Sequence, residues 1–266
     1  MNRVMSTVVR AATAMCVVSS VAHAQMREVT VRVTNLAASN SVSFAATHLG
    51  FHRGTLFDAF NNGQAATAGI ISVAEPGTGG QWQADFAAAD PTSTRGSIAG
   101  GALLPGQSRS QSFLVDAGLN RFFTFAAMVV PSNDFFIGND NPMQYRMFDE
   151  MGNLLITSIS QRGNQIWDAG SEAFDPLNAA FVAGGTSANR TPQNGVVSFN
   201  FADLAMFNGR TTSAGYVFES GLSADQQIYR LDFASTVVPE PSSVILMGSG
   251  LVLLGVAILR RRAQQA

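Results

Sequence analysis

Two short acidic segments carry the side chains best suited to chemistry. In residues 129–138 (VVPSNDFFIG), an apolar run ends at a proline and Asp134 follows it. In residues 167–172 (WDAGSE), Asp168 and Glu172 lie four positions apart around a glycine. Calcium requires several oxygen ligands, and loops at one end of a fold can supply them from distant parts of a chain. Aspartate is also the ordinary residue of solvent-facing turns, and spacing alone favours that simpler interpretation.

Other catalytic patterns are weaker. His48 and His52 lie four residues apart, but no glutamate or third histidine accompanies them as a metal site would require. The sequence has no nucleophile elbow, and its one cysteine, Cys16, lies in the export segment described below. The three carboxylates could also supply an acid pair for glycoside cleavage, although a cation site explains them better. We therefore expect a protein that is not an enzyme.

The first 24 residues have the composition of a secretory signal peptide. Arg3 and Arg10 precede a short apolar run, and Ala22-His23-Ala24 has the small-x-small pattern of a cleavage site. A transmembrane helix is the alternative, but the apolar run is far too short to span a bilayer. The sequence predicts a mature chain that begins at Gln25.

A second apolar run, residues 244–259, lies near the C-terminus. Sixteen helical residues extend about 24 Å, slightly less than the thickness of a hydrocarbon core. Three basic residues follow it directly: Arg260, Arg261 and Arg262. A basic cluster after an apolar span stays in the cytoplasm, so the preceding chain is expected outside. We predict a transmembrane helix with its arginine cluster at 244–262.

A proline-rich motif precedes this run and consists of Val238, Pro239, Glu240 and Pro241. A simple tail anchor is one interpretation. The motif, the apolar helix and the arginines together resemble the PEP-CTERM sorting signal. That resemblance implies processing by an exosortase at the inner membrane of a Gram-negative bacterium, followed by display at the cell surface or release. We assign residues 235–243 to a stalk that carries the motif.

Composition narrows the class of the remaining chain. Residues 25–238 hold 11 Arg, no Lys and 17 acidic residues, a balance of −6. This balance argues against a nucleic-acid partner, which would require a basic surface. No cysteine remains after signal removal, so stability must come from an ordinary core, with help from a metal as one option. The length fits one domain, which we place at 25–234.

Period-two alternation predicts an all-β fold. Val29, Val31 and Val33 alternate with polar residues, and the apolar run 123–130 is typical of a buried strand. Further strands are predicted near 42–44, 145–148, 154–159, 196–201 and 228–233. Helices are predicted at 64–74 and 177–182, and loops at 75–80, 93–106 and 184–195. The pattern indicates an antiparallel β-sandwich with one or two short helices.

Three blocks resemble the spondin N-terminal domain family, in family order. They are residues 52–77, 128–138 and 167–172. The resemblance implies a β-sandwich with one calcium ion at its loop end. It also implies that Asp134, Asp168 and Glu172 are ligands, with Asp116 the nearest candidate for a further acidic ligand. Asn133 departs from the family pattern, which has proline there.

These observations lead to one functional hypothesis and two alternatives. The hypothesis is an exported, calcium-stabilised adhesion or matrix module that binds an exopolysaccharide or a surface protein. A secreted hydrolase of exopolysaccharide and a purely structural matrix component remain open. Enzymatic release of polysaccharide ends would distinguish the hydrolase from the other two.

Overall fold

Two antiparallel β-sheets pack face to face in the computed structural model, which describes residues 25–238. Its strands are β1 (Met26–Asn35), β2 (Ser43–Phe44), β3 (Thr47–His52), β4 (Thr94–Ile98), β5 (Ser108–Asp116), β6 (Phe122–Val130), β7 (Phe135–Gly138), β8 (Tyr145–Arg146), β9 (Ser158–Arg162), β10 (Trp167–Asp168), β11 (Ser198–Phe199) and β12 (Gln227–Val237). Its helices are α1 (Ala68–Ala74), α2 (Gly80–Ala89) and 3-10 turns at Gly163–Gln165, Ser187–Asn189 and Ala202–Phe207. The prediction of a mainly antiparallel β fold with few helices is confirmed.

The smaller sheet has the order β5-β1-β12-β9, and the larger has the order β11-β10-β7-β6-β3-β4. Strands β2 and β8 pair with opposite ends of β6. In β1, Val29, Val31 and Val33 point into the core while the residues between them are more exposed. This is the alternation expected of a strand with one buried face.

Strand β6 is buried on both faces. Phe123, Phe125 and Val129 belong to the core between the sheets, whereas Ala126 packs in a second cluster under α1 and α2. Burial on both faces explains why this strand has a continuous apolar run rather than an alternating one. The helices thus form a third layer on the larger sheet.

The helical layer is partly as predicted. Helix α1 begins after Thr67, whose hydroxyl accepts the Ile70 amide at 3.1 Å, so the helix is shorter than the predicted 64–74. Helix α2 was not predicted, although its two buried aromatics, Trp82 and Phe86, have the helical i, i+4 spacing. Gly69 allows the helices close contact, since a Cβ there would lie 3.2 Å from the Trp82 Cα.

Three local predictions are wrong. Residues 177–182 form no helix, because bridges pair Ala180 with Ser132 and Val182 with Thr212. Part of the predicted loop 93–106 is β4, an edge strand paired with β3. The predicted stalk overlaps β12, since residues 235–237 pair with β1. Tertiary pairing overrides the local glycine, proline and polar composition in each case.

The strands define two ends of the sandwich. At the first, here called the terminal end, Met26 pairs with Asp116 and Arg27 with Val237. Strand β6 starts near this end, after the turn at 117–121, and runs nine residues to Val130. Nine strand residues extend about 30 Å. The second, here called the loop end, therefore contains Val130 and the loop that follows it.

Candidate cation site

The loop after β6 is held by its own polar side chains. The Ser132 hydroxyl accepts the Phe135 amide at 3.1 Å. The Asn133 side chain accepts a hydrogen bond from the Asp175 backbone amide at 3.1 Å. It donates another to a Glu172 carboxylate oxygen at 3.0 Å. Both side chains are buried. Asn133 thus joins the two acidic segments.

Asp134 lies at the centre of this arrangement and is 3% exposed. Its Oδ2 accepts the backbone amides of Ser171 at 2.7 Å and Glu172 at 3.0 Å. Burial, and secondly the charge of Asp168, raise the pKa of Asp134 to about 6 in spite of these hydrogen bonds. Among the described residues, none donates a hydrogen bond to Oδ1, so this oxygen is free for another partner.

Asp168 and Glu172 are positioned by a tight turn. Gly170 adopts a φ of 62°, and a Cβ there would lie 2.8 Å from the Val196 backbone nitrogen, so the turn requires glycine. The Gly170 amide donates to Asp168 Oδ1 at 2.7 Å. Burial raises the pKa of Asp168, and burial also raises that of Glu172. All three carboxyl groups therefore have pKa values displaced in the direction that opposes ionisation.

These three carboxylates line one cavity of about 130 Å³ at the loop end. The remaining lining residues are Asn133, Gln193 and Asp203, with an apolar rim of Phe135, Phe174, Met206 and Phe207. Asp203 lies close enough to Asp168 for its charge to contribute to the raised pKa of Asp168. The cavity thus has a lining rich in carboxylate and amide oxygens, and its lining residues carry no basic side chain.

Asp116 is not brought to this cavity. It ends β5 at the terminal end, where its Oδ1 accepts the Gly118 and Leu119 amides at 3.0 and 3.2 Å. The length of β6 separates the two ends of the sandwich, so Asp116 cannot reach a cation held by the loop-end carboxylates. The structure therefore unites three of the four acidic residues singled out in the sequence.

Sequence reasoning missed an ion pair beside the cavity, in which the carboxylate is buried and the arginine is partly exposed. Arg190 Nη2 lies 2.5 Å from Glu75 Oε1, although 115 residues separate them. The Ser171 hydroxyl donates to Glu75 at 2.8 Å and lies 3.3 Å from Asp134 Oδ2. Glu75 belongs to the first resemblance block, which was the only available signal for its role. Arg190 thus pairs with Glu75, and its positive charge also acts to lower the pKa of Glu172, against the larger effect of burial.

The two histidines of β3 have structural surroundings. His52 is buried, accepts the Gly54 amide at 3.1 Å and contacts the Thr124 hydroxyl at 3.0 Å. Burial lowers its pKa to about 4, which keeps the ring neutral. His48 contacts the Ser97 hydroxyl at 2.8 Å. Neither ring has a carboxylate or a second histidine as a hydrogen-bond partner within the described chain.

The donor chemistry of the cavity fits a hard cation. Carboxylate and amide oxygens are the ligands that calcium prefers, and the free Asp134 Oδ1 has no other described partner. Within residues 25–238, however, no three His, Cys, Asp or Glu side chains are already grouped as a metal site.

The C-terminal signal begins where the sheet ends. The Val238 amide donates to the Met26 carbonyl at 3.1 Å, next to the predicted start of the mature chain. Residues 239–262, with the rest of the motif, the predicted span and the arginines, lie outside the described residues, as does the predicted signal peptide. Between residues 25 and 238, no helix is long and apolar enough to cross a membrane.

Comparison with known families identifies this terminal segment. Residues 237–262 match the family model described as the PEP-CTERM protein-sorting motif. The match indicates an exported protein that an exosortase sorts at the membrane, where the precursor is anchored before processing. No curated protein matches the sequence at a significant level.

Proposed function

We propose that residues 25–238 form a non-enzymatic binding module whose loop end is stabilised by a divalent hard cation, with calcium the best fit. The single observation that carries this proposal is the convergence of Asp134, Asp168 and Glu172 on one small cavity. They come from two chain segments more than 30 residues apart, so a shared ligand would tie these segments together.

The electrostatics of the cavity support a cation. Burying several carboxylates together is costly, and the pKa values of all three groups are raised even though the charge of Arg190 offsets part of the shift at Glu172. A divalent ion would favour the ionised forms and remove the penalty. Asn133 and Gln193 could add neutral amide oxygens or bridging waters, as calcium sites commonly use.

A spondin-like identity for the domain is part of this proposal. The three residues that converge on the cavity are those to which the resemblance assigns ligand roles. Glu75, in the first block, contacts the same loop through Ser171. We extend the proposal to adhesion within an extracellular matrix, with an exopolysaccharide or a surface protein as partner.

A calcium-dependent melting experiment tests the cation. Purified residues 25–238 are melted in EGTA and in excess calcium. A ligand that binds only the folded state stabilises it by about 2.7 kcal/mol at a hundredfold excess over Kd. We expect Asp168→Asn and Asp134→Asn to abolish the calcium-induced rise in Tm. The matched control Asp116→Asn should retain the rise, because that residue lies at the terminal end.

Isothermal titration of calcium into the same proteins provides a second measurement. No heat of binding and no rise in Tm for the unsubstituted domain would contradict the cation proposal. Loss of the rise in Asp116→Asn as well would show that the effect does not arise in the acidic cavity.

A secreted hydrolase is the second candidate. It is favoured by one observation, since Asp134 has a pKa raised to about 6 beside a second carboxylate, as a general acid requires. The cavity argues against it, because about 130 Å³ is well below the roughly 300 Å³ of a typical small-ligand pocket. Release of reducing ends from the host polysaccharide, lost in Asp134→Asn, would establish the enzyme instead.

A further inference from the structure

A second cavity lies where the chain crosses from the smaller sheet to the larger one. It is about 280 Å³ in volume, twice that of the acidic cavity. Strand β9 supplies Gln161 from one sheet, β10 supplies Trp167 from the other, and the 3-10 turn between them supplies Gln165. The remaining lining residues are Asn62, Gly138, Asp140, Asn141, Gln144 and Phe199.

Phe199 forms a flat aromatic surface beside this cavity. It lies on the edge strand β11 and stacks on Trp167 with ring centroids 3.6 Å apart and planes 23° apart. Trp167 is buried and anchored, because its indole nitrogen donates to the Gly138 carbonyl at 3.2 Å. Phe199 itself is 53% exposed. One aromatic face is therefore available to a ligand, while stacking fixes its orientation.

Side-chain amides dominate the polar part of the lining. Five of the nine lining residues are Asn or Gln, the only charged one is Asp140, and none is basic. Gln144 and Gln161 both donate to the Tyr145 hydroxyl, at 3.1 and 3.4 Å, so their positions are coupled. Within the described chain the Asn62 side chain forms no hydrogen bond, which leaves its donor and acceptor groups free.

We propose that this cavity binds a neutral pyranose unit of a polysaccharide. Each sugar hydroxyl is both a donor and an acceptor, and an amide side chain provides one group of each kind. The C–H face of a pyranose is apolar and flat, so it can pack on the open face of Phe199. A lining with one carboxylate and no basic group disfavours phosphate and uronic-acid ligands.

This site does not depend on the cation proposal. Trp167 lines the saccharide cavity and its neighbour Asp168 lines the acidic one, because successive strand residues point to opposite sides. The two cavities have no lining residue in common. Saccharide binding measured in excess EGTA therefore tests this site alone, and the calcium-dependent Tm tests the other.

Isothermal titration with neutral oligosaccharides provides the test. Residues 25–238, the described part of the chain with its two hydrophobic cores, are titrated in EGTA with cellohexaose, maltohexaose, xylohexaose and mannohexaose, and with hexagalacturonate as the charged comparator. We expect at least one neutral hexasaccharide to bind. We expect Phe199→Ala to weaken it at least tenfold and Phe199→Tyr to retain it, since tyrosine keeps the aromatic face.

Leu155→Ala is the matched control, because Leu155 is also 53% exposed and does not line the cavity. Its affinity should equal that of the unsubstituted domain. Circular dichroism of the Phe199→Ala variant is measured to check that its sheet is intact. The proposal is overturned if no neutral hexasaccharide binds at millimolar concentration, if hexagalacturonate alone binds, or if a folded Phe199→Ala binds as well as the unsubstituted domain.

Discussion

The two ends of the sandwich use acidic residues in different ways. At the terminal end, the Asp116 carboxylate accepts amides two and three residues further along the chain. At the loop end, the Asp134 carboxylate accepts amides 37 and 38 residues away. Asp116 is the last residue of β5 and Asp134 lies in the loop after β6, so both are found where a strand ends and local sequence hardly separates them. Only the second is placed where other carboxylates converge.

Asp116 has the surroundings of a structural carboxylate, whereas Asp134 has those of a candidate ligand. Asp116 stabilises its own turn and needs no additional partner. Asp134 is buried beside Asp168, where ionisation is opposed by desolvation and by like charge. A bound cation would offset the free-energy cost of ionising Asp134 in this buried position.

The first prediction concerns the C-terminal sorting motif. Replacing Pro239, Glu240 and Pro241 with alanine should leave nearly all of the protein as the unprocessed, membrane-bound precursor, because the segment matches the sorting motif. Immunoblots of membrane and extracellular fractions measure the two forms. The calcium-induced rise in Tm of the purified variant should be unchanged, because the substitutions leave every lining residue of the acidic cavity in place. Normal processing would contradict the role of these three residues.

The second prediction concerns pH at the loop end. Asp134 has a folded pKa of about 6, above its ordinary value of 3.8. Between these values the folded state holds more protons than the unfolded state, so stability falls as pH rises from about 4 to about 6. Two pKa units correspond to at most about 3 kcal/mol. Burial also raises the pKa of Asp168 and of Glu172, so their ionisation likewise lowers the stability of the fold as pH rises.

Urea denaturation in EGTA between pH 4 and 7 measures this loss. Asp134→Asn should weaken the dependence of the free energy of unfolding on pH, because the amide does not titrate. Calcium should weaken the same dependence in the unsubstituted domain. A cation-free domain whose stability rises steadily from pH 4 to 6 would show that other groups dominate.

The third prediction concerns the ion pair beside the cavity. Arg190→Ala removes the partner of Glu75, whose side chain is 6% exposed, and leaves a nearly buried carboxylate without its counter-charge. Because Arg190 is itself 36% exposed, solvent screening reduces the expected loss to about 2 kcal/mol. Arg230→Ala is the control, because its pair with Asp232 is 42% and 36% exposed and should contribute under about 1 kcal/mol. Equal losses in urea denaturation would contradict the special role of Arg190.

The fourth and smallest effect returns to Asp116. Asp116→Ala removes two short-range hydrogen bonds in a turn and should cost about 1 kcal/mol. The loss should be the same with and without calcium, as measured by thermal denaturation. A loss that appears only with calcium would place Asp116 among the ligands after all.

The sequence by itself determined the features that depend on near neighbours. The alternation of Val29, Val31 and Val33 predicted β1, and the apolar run at 123–130 predicted the buried strand β6. The sorting motif was also readable from contiguous residues, and the family match at 237–262 confirms it. Three of the four acidic residues that line the cavity, Asp134, Asp168 and Glu172, were predicted from short motifs, and Asp203 was not. These features can be read from the sequence because periodicity, capping and motif spacing involve residues only a few positions apart.

Only the tertiary structure decided which distant residues meet. Asn133 contacts Glu172 across 39 positions and Glu75 pairs with Arg190 across 115, and no local pattern encodes such separations. Long-range strand pairing extends β12 to Val237, into residues predicted as a stalk. It also places Ala180 and Val182 in β-bridges, where a helix was predicted. It also left Asp116 at the far end of β6. Burial and pKa follow from this packing, because the environment of a carboxylate is set by what folds around it.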